Sequence, residues 1–262
     1  SVSLSIAIPV ITAFGIQPSI LPSMILSTHT GGFGKPATLS VAKNFSKFQK
    51  HWHQADVVFE NILVGYLGSE TQVYEEIHLL LEQNVSKLVV LDPAFADHGK
   101  LYSGMAQSVV DDYLLLCRHA QVLLPNLTEA CFLIGQTVPI TIDEQHLSII
   151  LEKLSQKTGV ADVGITGVEL NNQIGTAFLS DKSFTYVSSA KISGNFFGTG
   201  DLFSSLVFGF LLSGDTFLMA LKLANQWTSA AVTDTIKQFS RDSRIGIVIP
   251  SVLSKILTYK GS

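Results

Sequence analysis

The segment Gly194–Phe203, GNFFGTGDLF, holds the residues best suited to chemistry. Gly198, Thr199 and Gly200 lead directly into an apolar helical pattern that begins at Asp201. Small residues there let the backbone approach a phosphate. The first N–H groups of a helix have no partner within it and then face that anion. A carboxylate at the same turn repels a phosphate, so it needs another reason to be present. It fits as a base that accepts the proton of a substrate hydroxyl attacking a γ-phosphate. Asp is also a favoured helix cap. The tetrapeptide alone leaves both readings of Asp201 open.

Such a loop needs a scaffold, and the rest of the chain supplies an α/β one. Short apolar runs at Val57–Phe59 continuing into Ile62–Gly65, at Lys87–Leu91, at Gln121–Leu124 and at Val163–Thr166 read as strands. Between them, Thr71–Gln83, Ser103–His119 and Asp143–Lys157 read as helices. That alternation predicts βαβ units and a mainly parallel central sheet flanked by helices. Later, Ile174–Leu179 and Phe184–Ala190 predict a β-hairpin across Ser180-Asp181-Lys182-Ser183. Helices are expected at Asp201–Leu212, Thr216–Lys237 and Val252–Tyr259. Ligands of open parallel sheets bind beyond the strands' carboxyl ends. The segments Gly65–Ser69, Asp92–Lys100, Pro125–Glu129 and Thr166–Glu169 would therefore line one cleft.

At 262 residues, with 47% apolar and 15% charged residues, the chain can bury one large core, and we expect a single domain over 1–262. A net charge of −4 without basic runs gives no reason to expect nucleic acid or an anionic membrane as partner. The apolar opening, Ser1–Leu26, is broken by Pro9, Pro18 and Pro22, and Leu202–Leu212 is too short to span a bilayer. Both are expected to be core helices, the first burying Leu4, Ala7, Ile8 and Ile11 and ending near Gly15. Cys117 and Cys131 sit in apolar helical patterns and read as buried reduced thiols. His51 and His53 stand about 200° apart on a helix, which disfavours a shared metal. No Walker loop or GxGxxG fingerprint follows the first strands.

Taken in order, HTGGFG at His29–Gly34, VGYLGS at Val64–Ser69, LDPAFADHGKLY at Leu91–Tyr102, LPNLTEACFLIG at Leu124–Gly135 and GTGDLF resemble the pyridoxal/pyridoxine/pyridoxamine kinases of the ribokinase-like superfamily. The resemblance spans nearly the whole chain. It implies a three-layer α/β sandwich and transfer of the ATP γ-phosphate to the 5′-hydroxymethyl of a vitamin B6 vitamer. Hydroxymethylpyrimidine kinase, on the same fold, is the nearest alternative, although many of those enzymes carry GTGC. A catalytically weak vitamer-binding protein is the alternative outside the enzymes.

By that resemblance Asp201 is the base, and the amides of Gly198, Thr199 and Gly200 form an anion hole. Thr30 and Gly31 contact the substrate ring. Asp92, Asn126, Thr166 and Gly167 lie on the ATP side. Glu129 and Asp97 serve Mg²⁺ and its waters, and K⁺ is a candidate accessory ion. His29 reads as a structural hydrogen-bonder and His98 as solvent-facing. A cytoplasmic homodimer is implied. Two departures stand out. Leu124 replaces a threonine of some relatives, and the sequence opens within the family's first helix, so the family's first strand is expected to lie before Ser1.

Overall fold

The computed structural model describes residues 2–84, 86–180, 182–238 and 243–259. Ser1 and the hairpin residue Asp181, both used in the sequence reading, lie outside them. In chain order the elements are α1 (Leu4–Ala13), β1 (Met24–Leu26), β2 (Thr38–Ser40), α2 (Phe45–Gln54), β3 (Asn61–Val64), α3 (Thr71–Gln83), β4 (Leu88–Leu91), β5 (Ala96–Asp97) and β6 (Lys100–Leu101). There follow α4 (Val109–Cys117), β7 (Val122–Leu123), α5 (Leu127–Leu133), α6 (Glu144–Thr158), β8 (Asp162–Leu170), β9 (Gln173–Ser180), β10 (Ser183–Ala190), α7 (Thr199–Leu212), α8 (Phe217–Gln238) and α9 (Pro250–Thr258). The chain divides into two compact units. One comprises residues 21–28 and 36–165, the other residues 1–20, 29–35 and 166–262.

The first of these contains the parallel strands. β3 pairs with β4, β4 with β7, and β7 with the start of β8, in the registers Val64↔Leu91, Leu91↔Leu123 and Leu123↔Val163. Val89, Val90 and Leu91 on β4 and Val122 and Leu123 on β7 are all buried, as expected when helices cover both faces of a parallel sheet. Helix α3 buries Val73, Tyr74, Ile77, Leu80 and Leu81, one stripe at helical spacing, and its bounds match the sequence reading. Helix α4 starts only at Val109, because Ser103–Ser108 is spent on turns around Gly104, whose φ is +87°. The expected strand at Val57–Phe59 does not form. Val58 is exposed there, and β3 begins at Asn61. Two small antiparallel ribbons, β1–β2 and β5–β6, were not foreseen.

The second unit holds the hairpin and the most apolar helices. β9 and β10 pair antiparallel from Ser180↔Ser183 to Gln173↔Ala190. Helix α7 buries every residue from Leu202 to Phe210, the pattern of a helix enclosed on all sides. The Phe210 ring meets Phe14, Trp227 and Tyr259 edge-on at 5.0–5.2 Å between centroids. Gly209 is required by close approach, since a Cβ built there would overlap the Phe14 ring. Helix α1 corrects one expectation. It buries Ile6, Val10 and Ile11, while Leu4 is exposed and Ala7 and Ile8 are only half-buried. Among the described residues, no helix is long and apolar enough to cross a membrane.

Candidate active site

Within the parallel-strand unit, the loops after β3, β4 and β7 are tied together by buried polar contacts. The Tyr74 hydroxyl donates to the Gly68 carbonyl at 2.7 Å, and the buried Phe95 ring stacks on Tyr113 at 5.1 Å. The main fastening is Glu129, 2% exposed. Its Oε1 accepts the N–H groups of Phe95 (3.0 Å) and Ala96 (3.3 Å), and its Oε2 accepts that of Asn126 (2.8 Å). Asn126 completes a capping box on α5. Its Oδ1 accepts the Glu129 N–H at 3.0 Å, while its Nδ2 donates to the Ala96 carbonyl at 2.7 Å. Burial, then the nearby Asp92 charge, push the Glu129 carboxyl well above the usual range, and the three amides pull it back.

The structure thus brings Asp92, Asn126 and Glu129 into one cluster at the carboxyl ends of β4 and β7. Asp97 follows Ala96 in β5, exposed, with its Oδ1 accepting the His98 N–H at 2.7 Å. His98 is almost fully exposed, as read from the sequence. Leu124 is buried and donates its N–H to the Leu91 carbonyl at 2.9 Å, so the departure there leaves the backbone path intact. A carboxylate has about four acceptor positions, and Glu129 already uses three. That leaves room for one further donor, which suits a water of a hydrated cation. A cation would also offset the repulsion between Asp92 and Glu129. The cluster therefore fits Mg²⁺ held largely through water.

In the other unit, Gly198 caps α7 with φ +89°, a left-handed conformation that glycine adopts without strain. The Thr199 hydroxyl donates to the Phe196 carbonyl at 3.1 Å and so closes the turn. This fits a role for Thr199 through its backbone amide. Asp201 lies in the first turn of α7, partly buried, with the N–H and hydroxyl of Ser3 near its carboxylate. Burial raises its pKa above the ordinary aspartate range, and the Ser3 donors lower it in part. A carboxylate with raised proton affinity is a stronger base. Asp201 does not cap α7 through its side chain, because the cap position belongs to Gly198.

The HTGG segment is held in the same unit. His29 Nδ1 accepts the Gly31 N–H at 3.1 Å, so Nε2 carries the proton and donates to the Arg244 carbonyl at 2.6 Å. His29 is structural, as expected. Thr30 is exposed beside it. The Phe197 ring lies 4.5 Å from that of His29 and directly over Gly31, where any Cβ would overlap it. The Arg244 guanidinium stands 5.0 Å from the Phe33 ring centroid. Phe197, Phe33, Arg244 and Ser3 were not singled out from the sequence, although Phe197 sits within the glycine-rich segment itself. Thr166 and Gly167 do not end a strand. β8 runs on to Leu170, and Gly167 takes φ +65° inside it.

The covered parallel strands, the late hairpin and a glycine turn opening a buried helix define a ribokinase-like α/β chain. The sequence matches the family described as phosphomethylpyrimidine kinase over residues 27–245. The crystal structure of pyridoxal kinase from Lactobacillus plantarum is similar with a TM-score of 0.93 at 36% identity, covering 98% of this chain and 92% of that one. That of a Bacteroides thetaiotaomicron protein, provisionally named a phosphomethylpyrimidine kinase and crystallised with pyridoxal, gives 0.88 at 28% identity, covering 97% and 90%. A Schizosaccharomyces pombe protein provisionally named a pyridoxal kinase is 31% identical over 204 residues, 74% of this chain. The chain spans 64% of that relative's length. The chain belongs to the pyridoxal kinase family.

Proposed function

We propose that this protein transfers the γ-phosphate of ATP to the 5′-hydroxymethyl group of a vitamin B6 vitamer. The observation that carries the reading is Asp201, a carboxylate of raised proton affinity in the first turn of a buried helix opened by Gly198-Thr199-Gly200. Asp201 takes the hydroxyl proton as the oxygen attacks phosphorus. The Gly198, Thr199 and Gly200 amides hold the negative charge of the transferring group, a stabilisation already in place before reaction. Thr30 and Gly31 seat the vitamer ring, with Phe197 packed behind Gly31. Asp92, Asn126, Thr166 and Gly167 belong to the nucleotide side, and Asp97 and Glu129 to the Mg²⁺ and its waters. Mg²⁺, when bound, neutralises phosphate charge. A single kinase domain is part of the reading, supported by a chain that passes between its two units four times. So are a cytoplasmic homodimer and K⁺ as an accessory ion.

ADP release with Mg-ATP and, separately, pyridoxal, pyridoxamine, pyridoxine and hydroxymethylpyrimidine tests the assignment. Turnover of a B6 vitamer is the expected outcome. The matched family's description keeps the pyrimidine as the second reading, and turnover of it alone would move the substrate class while leaving Asp201 its role. Gly31→Ala is expected to raise the vitamer KM by roughly 10-fold, because displacing Phe197 misplaces the ring seat. ATP binding by that variant, followed by titration calorimetry, should stay unchanged.

A further inference from the structure

One cluster lies apart from these residues. His78 and Glu82 stand four residues apart on α3, hence on one face, and His119 lies just beyond the end of α4, which packs against α3. His119 Nε2 and His78 Nδ1 face each other at 2.9 Å, and His78 Nε2 lies 3.3 Å from Glu82 Oε1. One ligand atom from each of the three residues falls within 4.8 Å of the other two.

We propose that His78, Glu82 and His119 form a binding site for a divalent transition-metal ion of the zinc class. Two imidazole nitrogens can share a hydrogen bond only if one of them is an unprotonated acceptor, the form that also ligates a metal. Tetrahedral ligands about 2 Å from zinc stand roughly 3.3 Å apart. The two nitrogens therefore need to open by only a few tenths of an ångström. Glu82 is half exposed and can swing its carboxylate to the ion as the third ligand. Two nitrogens and one oxygen, with a fourth position left to water, suit zinc and exclude a hard ion such as Mg²⁺, which prefers an oxygen shell. The ion would pin α3 to the end of α4.

The test is zinc uptake by the full chain after treatment with a chelator, with neither nucleotide nor vitamer present. Equilibrium dialysis is expected to show one zinc ion per chain, and the melting temperature should rise with zinc concentration, as for any ligand of the folded state. His119→Ala should abolish both effects. Glu82→Gln, at a half-exposed position that cannot endanger folding, should weaken uptake by about 10-fold or more. Phosphotransfer measured without zinc should survive in both variants. Absence of stoichiometric uptake overturns the proposal. So does uptake that is the same in the wild type and both variants, since the ion would then sit on other histidines.

Discussion

Asp201→Asn is expected to lower the turnover number by about 10²–10⁴-fold, the usual worth of a positioned general base, with ATP binding nearly unchanged. Asparagine keeps the shape and can still accept from Ser3, so α7 and its glycine turn should hold. What it loses is the site for the hydroxyl proton. The pH profile supplies a second check. The base acts only when deprotonated, and burial sets the Asp201 pKa above the ordinary aspartate range. Activity should therefore fall as the pH drops through a value higher than an exposed aspartate would give. In Asp201→Asn that acid limb should disappear from whatever activity remains. A variant that keeps near-normal turnover and the same acid limb would remove Asp201 from the chemistry.

How far the sequence reached depended on the range of the signal. Helix α3 was legible because its pattern is local and amphipathic, with polar residues marking what faces water, and the β9–β10 hairpin because two strand-forming runs flank a short polar stretch of sequence. Helix α1 was not, since LSIAIPVITA is apolar around most of its circumference and periodicity cannot choose a face. The GTGD turn could be read as a phosphate loop from glycine spacing. That Phe197 would lie over Gly31 could not, for those residues are far apart in sequence and only the folded chain joins them. The same holds for His78 and His119, one on α3 and the other just beyond the end of α4, with no ligand spacing between them. Thr166 and Gly167 misled because ITG looks like a strand end. A glycine at positive φ can instead sit within a strand and let it continue.

Glu129 gives the other large effect. The resemblance gave it one role, serving Mg²⁺ and its waters. The structure adds a second by hanging the Phe95, Ala96 and Asn126 amides on one buried carboxylate. Glu129→Ala leaves three N–H groups without that acceptor, at about 1–3 kcal/mol each where water cannot replace it. Relief of a buried charge that Asp92 repels offsets part of this loss. The net expectation is about 2–4 kcal/mol of stability, read as a fall of roughly 5–15 °C in melting temperature. The sign of the pH dependence follows from the raised Glu129 pKa. Its contribution is fully present below the unfolded-state pKa and is lost as pH rises through the folded one. The stability gap between wild type and Glu129→Ala should therefore narrow as pH increases. Glu129→Gln separates fastening from metal service. Its carbonyl can keep the Phe95 and Ala96 amides, but its NH₂ must face the Asn126 N–H, so a smaller loss of stability is expected. If Glu129 also orders the waters of Mg²⁺, that variant needs more Mg²⁺ to reach half-maximal rate at a temperature where it is fully folded. An unchanged Mg²⁺ titration would leave Glu129 as the fastening of the loop alone.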